Sequence, residues 1–490
     1  MNRLLSGVRR LRSIAAIVGC GFVFFSAAFA VNPIPTVVGP PVPQAVVPGS
    51  GAFTLKVYGA NFVSGAVVNW NRSPRTTTFI SARELEAQIL ASDVAKPTAG
   101  YITVTNPPPG GGVSSSSYSL VEVHTPTTTI VAKKPHVYLR NIGSQHLVFS
   151  DFNNDGQFDF AADYSFSEIK SFLGNGDGTF LPGPIAAYDY YGSGPAAIAA
   201  GDFNNDGNED LVFGANPNGP PTQLQVNLGE GNGKFMAGTR FGHFKGYALG
   251  IAVGDFNRDG NLDIVSVTAP DTLSVFLGQG NGSFRHPVNY SYSFAQGTPF
   301  EVLPVDLNGD GVLDLVVLVG TDGVYIQLGK GDGTFQKPRR VVANAQIGCS
   351  FGPGVLVSDF NGDGKTDLAF CERDSASGKL WIMMGNGDGS FKKPSAITIP
   401  SFNGVFSFVL GDFNSDGKTD LIVNYPLSDT QDETDLYLGN GNGTFQSKKI
   451  VKLPGVFNAE LGIVTADLNS DGLLDFIFEQ PGDVSVFTQE

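Results

Sequence analysis

One acidic nonapeptide recurs along the sequence: DFNNDGQFD from Asp151, DFNNDGNED from Asp202, DFNRDGNLD from Asp255, DLNGDGVLD from Asp306, DFNGDGKTD from Asp359, DFNSDGKTD from Asp412 and DLNSDGLLD from Asp467. Positions one, three, five and nine are always Asp, Asn, Asp, Asp. In chain order the sets, here loops one to seven, are Asp151, Asn153, Asp155, Asp159; Asp202, Asn204, Asp206, Asp210; Asp255, Asn257, Asp259, Asp263; Asp306, Asn308, Asp310, Asp314; Asp359, Asn361, Asp363, Asp367; Asp412, Asn414, Asp416, Asp420; and Asp467, Asn469, Asp471, Asp475. A hard cation that takes six to eight oxygens, calcium above all, needs such a set. Alternate spacing turns successive side chains inward, and Gly at position six permits the reversal. The seventh residue would add its backbone carbonyl, so its type is free: Gln157, Asn208, Asn261, Val312, Lys365, Lys418 and Leu473. An EF-hand is excluded, because position twelve is Ala162, Phe213, Ser266, Val317, Phe370, Val423 or Phe478 and never Glu. Magnesium suits the set less well, since it holds to an octahedron with retained waters. One copy alone could be an ordinary Asx turn. Seven copies without a lost ligand point to about seven Ca²⁺ sites that stabilise the fold.

The elements that carry these loops follow from their spacing. Successive copies start 51, 53, 51, 53, 53 and 55 residues apart, and a second string falls between them: LGNGDGTF, LGEGNGKF, LGQGNGSF, LGKGDGTF, MGNGDGSF and LGNGNGTF. Each period holds four strand-like runs; in the third unit they are IAVGDF, DIVSV, LSVFLG and HPVNYSY. Four strands in about fifty residues predict one propeller blade. The expected fold is therefore all-β, a seven-bladed β-propeller over residues 135–490. Its last unit stops at its third strand, VSVFT, while PHVYLRNIG precedes the first loop as a fourth strand without its first three. Residues 135–141 are thus expected to complete the last blade.

The chain has 490 residues, a formal charge of −15, 63 Gly and 30 Pro. Such acidity argues against nucleic acid as a partner. Residues 1–30 read as a signal peptide: Arg3, Arg9, Arg10 and Arg12, an apolar run from Ile14 to Phe29, and Ala28-Phe29-Ala30 as a cleavage signal. A retained membrane anchor, or a lipoprotein signal at Cys20, are the alternatives. No later segment is long and apolar enough to span a bilayer. The expected location is secreted, cell-surface or periplasmic. Cys349 and Cys371 would form one bridge or remain buried thiols. Residues 123–134 (HTPTTTIVAKK within them) read as a linker.

The paired DxNxDGxxD and LGxGxGxF strings resemble the FG-GAP/VCBS repeat family, the integrin α type of propeller. That resemblance implies a calcium loop between the first and second strands of each blade. Residues 32–122, with FTLKVYGANFVSGAVVNWNRSPRTTTFISARELEAQIL and YITVTNPPPGGGVSSSSYSLVEV, resemble an IPT/TIG immunoglobulin-like β-sandwich. It implies a spacer or adhesion module.

Loops between blades carry aromatics: Tyr188, Tyr190 and Tyr191; Phe241, Phe244 and Tyr247; Tyr290, Tyr292 and Phe294. They would either present a ligand face to an extracellular protein or glycan or pack between blades. Asp163-Tyr164-Ser165-Phe166-Ser167 matches a DxSxS metal pattern, but the helices such a site needs are not evident. The five His form no HExxH motif and no GxSxG elbow occurs. The expectation is a calcium-binding adhesion or recognition module without catalytic residues. The alternatives are a polysaccharide-active lyase or esterase and a purely structural envelope scaffold.

Overall fold

The computed structural model describes residues 31–114, 119–127, 130–143, 147–165, 168–188, 197–215, 222–244, 246–292, 297–343, 347, 354–373, 378–401, 406–428, 431–446, 449–451 and 462–489. The expected signal peptide and Cys349 lie outside them. Cys371 is disulfide-bonded, to a residue also outside them.

The described residues are all-β, with no helix among them. Residues 31–123 build two sheets. One runs Thr36–Val37, Phe53–Ala60, Glu84–Ile89, Thr77–Phe79; the other orders Ala45–Val46, Leu120–Val123, Thr98–Asn106, Val67–Trp70 and Ser73–Pro74, with Gly112–Val113 beside Thr98–Asn106. Alternation decides the inward face: Leu55 and Val57 are buried while Thr54 and Lys56 are not. Leu55, Val57, Phe62, Val68, Trp70, Leu85, Ile102 and Val121 form one shared core. Trp70 fits because Gly100 faces it; a Cβ there would fall 2.2 Å from the indole ring.

The remainder is a run of small antiparallel sheets, propeller-like in form. Six have four strands each in sequence order, beginning Leu147–Ser150, Ile198–Gly201, Ala248–Gly254, Pro299–Val305, Val355–Ser358 and Ser407–Gly411. A further sheet joins Gly462–Ala466, the long C-terminal strand Asp475–Phe487 and His136–Gly143. His136 pairs with Val486 and Tyr138 with Val484. The first strands of most successive sheets lie side by side, and apolar side chains fill the gaps. Val305, Leu307 and Val316 of one sheet meet Val355, Leu368 and Phe370 of the next. A similar cluster joins Phe149, Phe160 and Phe172 of the first sheet to Ala466, Leu468 and Ile477 of the last.

The expected linker is held down. Ile130 and Ala132 pack on the core around Phe476 and Phe487, and the Lys133 N–H donates to the Thr488 carbonyl at 2.9 Å. Apolar residues in a short connection explain this, since they bury area that a solvated linker would expose.

Candidate metal centres

Each acidic nonapeptide folds into a tight turn between the first and second strands of its sheet. Position six is left-handed in all copies, from Gly156 at φ +91° to Gly472 at +90°. Position four is left-handed too: Asn154, Asn205, Arg258, Gly309, Gly362, Ser415 and Ser470. Sequence reasoning missed this second reversal, although Asn and Gly in four of the copies were its signal.

The side chains first serve their own loop. In loop one, the Asp155 and Gly156 N–H groups donate to Asp151 Oδ1 and Oδ2 at 3.1 and 2.9 Å. Asn153 Oδ1 accepts the Asp155 N–H at 2.9 Å, and Asp155 Oδ1 accepts the Gln157 N–H at 2.8 Å. The ninth residue ties the two repeated strings together. Asp159 Oδ2 accepts the Phe152 N–H at 2.9 Å, and its Oδ1 accepts the Gly174 N–H at 2.7 Å. Asp210, Asp263, Asp314, Asp367 and Asp420 hold Gly229, Gly278, Gly329, Gly385 and Gly439 in the same way. Only glycine fits there: a Cβ would fall 2.1–2.2 Å from the position-eight carbonyl. Where the last unit lacks the glycine turn, Gln489 N–H takes its place on Asp475 at 2.8 Å.

Neighbouring units are cross-linked at this level. The second turn glycine of each unit donates to the position-two carbonyl of the unit before: Gly233 to Phe152, Gly282 to Phe203, Gly333 to Phe256, Gly389 to Leu307 and Gly443 to Phe360. Gly178 of the first unit donates to Leu468 of the last at 3.1 Å. Asn154 Nδ2 also reaches Asn208 Oδ1 at 2.8 Å, and Asn205 reaches Asn261 at 2.9 Å, joining position four of one loop to position seven of the next.

The electrostatics are severe. All seven ninth-position carboxylates are fully buried. Burial, before any neighbouring charge, lifts Asp159 to about 6, Asp210, Asp314 and Asp367 to about 7, and Asp263, Asp420 and Asp475 to about 8. Position one follows: burial lifts Asp255 to about 6 and Asp412 and Asp467 to about 7. Asp420 Oδ2 is buried with no hydrogen-bond partner. An all-oxygen donor set with an orphaned buried carboxylate oxygen has the chemistry calcium requires. Among the described residues, no three Asp, Glu, His or Cys side chains already stand close enough to grip an ion. Their oxygens face the loop's own N–H groups, so ion capture would draw positions one, three, five and nine together.

The N-terminal two-sheet region lies on these loops. The Ile34 N–H donates to Asp255 Oδ2 at 2.8 Å, and Asn61 Nδ2 to the Asp255 carbonyl at 2.9 Å. Arg72 pairs with Asp151, and Arg83 Nε lies 3.8 Å from Asp306 Oδ2. The Tyr101 hydroxyl donates to the Asp467 carbonyl. Ser415 Oγ donates to Glu122 Oε2 at 2.7 Å. No motif marked these contacts, because each is a single residue in a strand or turn.

Some of the aromatic residues are buried rather than presented to a ligand. Phe244 and Tyr292 are buried between sheets, at 6% and 3% exposure. Phe244 packs edge-on against Phe276, and the Tyr292 hydroxyl donates to Gln327. Tyr290 is partly buried and its hydroxyl accepts the Phe335 N–H at 2.9 Å. Tyr138 does the same for Phe180 at 2.9 Å. These rings are inter-sheet packing, the outcome favoured when apolar area can be buried. Tyr247 is exposed. Tyr188 ends the strand Phe180–Tyr188. Tyr190, Tyr191, Phe294 and the end of the DxSxS stretch lie outside the described residues.

Comparison with known proteins follows the same pattern. Cartilage acidic protein 1 of Xenopus tropicalis is 27% identical over 208 residues, covering 39% of this chain and 31% of that protein. Integrin alpha-IIb of Mus musculus is 28% identical over 211 residues, covering 37% and 20%. Phosphatidylinositol-glycan-specific phospholipase D of Rattus norvegicus is 27% identical over 187 residues, covering 31% and 22%. The chain therefore spans a fifth to a third of the length of these relatives. Among solved structures, the BP39L lectin from Burkholderia pseudomallei superposes with a TM-score of 0.49 at 14% identity, covering 71% of this chain and 98% of that one. The FG-GAP-like repeat model matches residues 151–213, 202–266, 255–317, 306–370, 359–423 and 427–478, and an FG-GAP repeat matches 404–446. Those matches cover more than half of the sequence, and the chain belongs to the FG-GAP-like repeat family.

Proposed function

We propose that this is an exported, calcium-binding recognition module of the adhesion type, built as a seven-bladed propeller with an N-terminal IPT/TIG immunoglobulin-like sandwich. In this reading residues 1–30 direct export, and the strand His136–Gly143 completes the blade of the C-terminal strand Asp475–Phe487. Calcium is held in each loop by the side chains of positions one, three, five and nine and the carbonyl of position seven. Its charge offsets carboxylates that burial otherwise makes costly. The observation that carries the reading is the fully buried ninth-position Asp in every loop, beside two further carboxylates in the same turn. The repeats shared with integrin alpha-IIb and cartilage acidic protein 1 support it. The partner is an extracellular protein or glycan, and no residue is assigned a catalytic role.

A glycan and matrix-protein array, probed with the mature protein in calcium and in EGTA, tests this. Calcium-dependent capture of one ligand class is expected. Equal melting in both buffers, with no captured ligand in either, overturns it.

A further inference from the structure

We infer that the N-terminal region sorts the seven loops into unequal calcium sites, with Arg72 and Arg83 acting as internal competitors at loops one and four and Glu122 as a supplementary carboxylate at loop six. This rests on the calcium reading above and deepens it.

The loops share one motif, so their own residues give them nearly the same intrinsic donor set. Loops five and six carry a cation of their own beside position five, Lys365 Nζ 3.6 Å from Asp363 Oδ2 and Lys418 Nζ 3.3 Å from Asp416 Oδ2; at the first-position carboxylates the difference is the side chain that the two-sheet region brings. Loop one receives a guanidinium: Arg72 pairs with Asp151, its first ligand position, and Nη1 donates to the Asn154 carbonyl at 3.3 Å. Loop four receives another. Arg83 sits beside Asp306, whose side chain is 2% exposed, while the Asn61 N–H fixes the approach by donating to the Gly311 carbonyl at 2.8 Å. A guanidinium within ion-pairing range of a ligand carboxylate already offsets its charge, and a cation entering the same loop meets like-charge repulsion.

Loop six is the converse. Glu122 is nearly fully buried, at 1% exposure, and accepts from Ser415, the fourth residue of that loop. Burial and the nearby Asp412 push its carboxyl well above the usual carboxylate range, and a cation in the loop would favour its ionised form. The Thr127 N–H, donating to the Asn414 carbonyl at 2.9 Å, holds the segment after it against the loop. Loops three and seven are met by the Ile34 N–H and the Tyr101 hydroxyl. Filling loops one and four therefore requires the arginines to withdraw, which couples high calcium to loosening of the N-terminal region at those two points. Filling loop six tightens it.

Calcium stoichiometry and affinity measured by native mass spectrometry and equilibrium dialysis on the full mature chain decide the matter. The wild type is expected to show two ions weaker than the tightest class by about tenfold or more. Arg72→Gln with Arg83→Gln should move those two into the tighter class. Glu122→Gln should weaken one tight ion by several-fold and leave the arginine-linked pair unchanged. Arg72 is more than half exposed, so the single Arg72→Gln variant guards against misfolding and should convert one ion alone. Seven equivalent ions in the wild type, or classes unmoved by the arginine variants, would overturn the sorting while leaving the calcium reading intact. Absence of bound calcium in every variant would overturn both.

Discussion

The two-sheet region and the repeat array treat buried charge in opposite ways. In the first, the charged pair near the core is complete: Arg75 Nε and Nη2 each meet an Asp93 oxygen at 2.8 Å, with both side chains nearly buried. Around it lies a single core from Leu55 to Val123. In the second, apolar wedges between sheets surround carboxylates whose partners are backbone N–H groups, and Asp420 Oδ2 has none. That Arg75–Asp93 pair supplies its own counter-ion, as Arg340–Asp322 does in the array at 2.6 Å, whereas the repeated loops rely mainly on backbone donors. The array leaves most of that task to a ligand, and its stability is accordingly conditional on solution composition.

The largest expected difference comes from metal removal. The chain has two tryptophans, Trp70 in the N-terminal core and Trp381 in the array, so W381F and W70F variants report each region separately. Each site filled at 100 times its Kd contributes about 2.7 kcal/mol. EGTA should lower the Trp381 transition by ten degrees or more, as judged from the roughly 2–4 °C per kcal/mol of a domain this size. The Trp70 transition should move far less; equal shifts would break the contrast.

Core truncation should reverse the order. Leu85→Ala removes a fully buried side chain from the N-terminal core and should cost about 2–5 kcal/mol at Trp70. The number of bound calcium ions, read by dialysis, should stay as in the wild type. Phe370→Ala, in the wedge between two array sheets, should cost about 3–5 kcal/mol at Trp381.

A charge deletion sharpens the contrast further. Asp420→Asn should raise the melting temperature in EGTA and lower it in calcium, by about 1–2 kcal/mol in each direction. The same sign in both buffers would show that the carboxylate is not held for a cation.

The last test is of pH. Burial lifts Asp263, Asp420 and Asp475 to about 8 from 3.8. The metal-free array is thus fully favoured below about pH 4 and loses stability as pH rises through 8. Thermal melts in EGTA at pH 5 and pH 8 should differ, the acid sample melting higher. Calcium should flatten or invert that slope.

Much of the array was legible because its chemistry repeats. Invariant Asp, Asn and Gly at fixed spacing fix a turn and its acceptors, and the period of about fifty residues fixes the small sheets. The role of Gln489 was not legible, since its N–H acts in place of a glycine's and backbone donors leave no mark in a sequence. Arg72, Arg83, Tyr101 and Glu122 were equally silent. Each reads as an ordinary surface residue until the chain folds back over the loops. The aromatic stretches were ambiguous for another reason: Tyr and Phe serve exposed recognition and buried packing alike, and Phe244 and Tyr292 take the second role.

The pairing of His136 with Val486 has a consequence for biosynthesis. The two strands are separated by about 350 residues, so at roughly 5–20 residues per second the earlier one waits for tens of seconds on a translating ribosome before its mate emerges. Throughout that interval HVYLRNIG is a strand edge without a neighbour, the kind of segment that recruits other nascent chains. Slow, crowded expression is the condition under which that unpaired edge is most consequential.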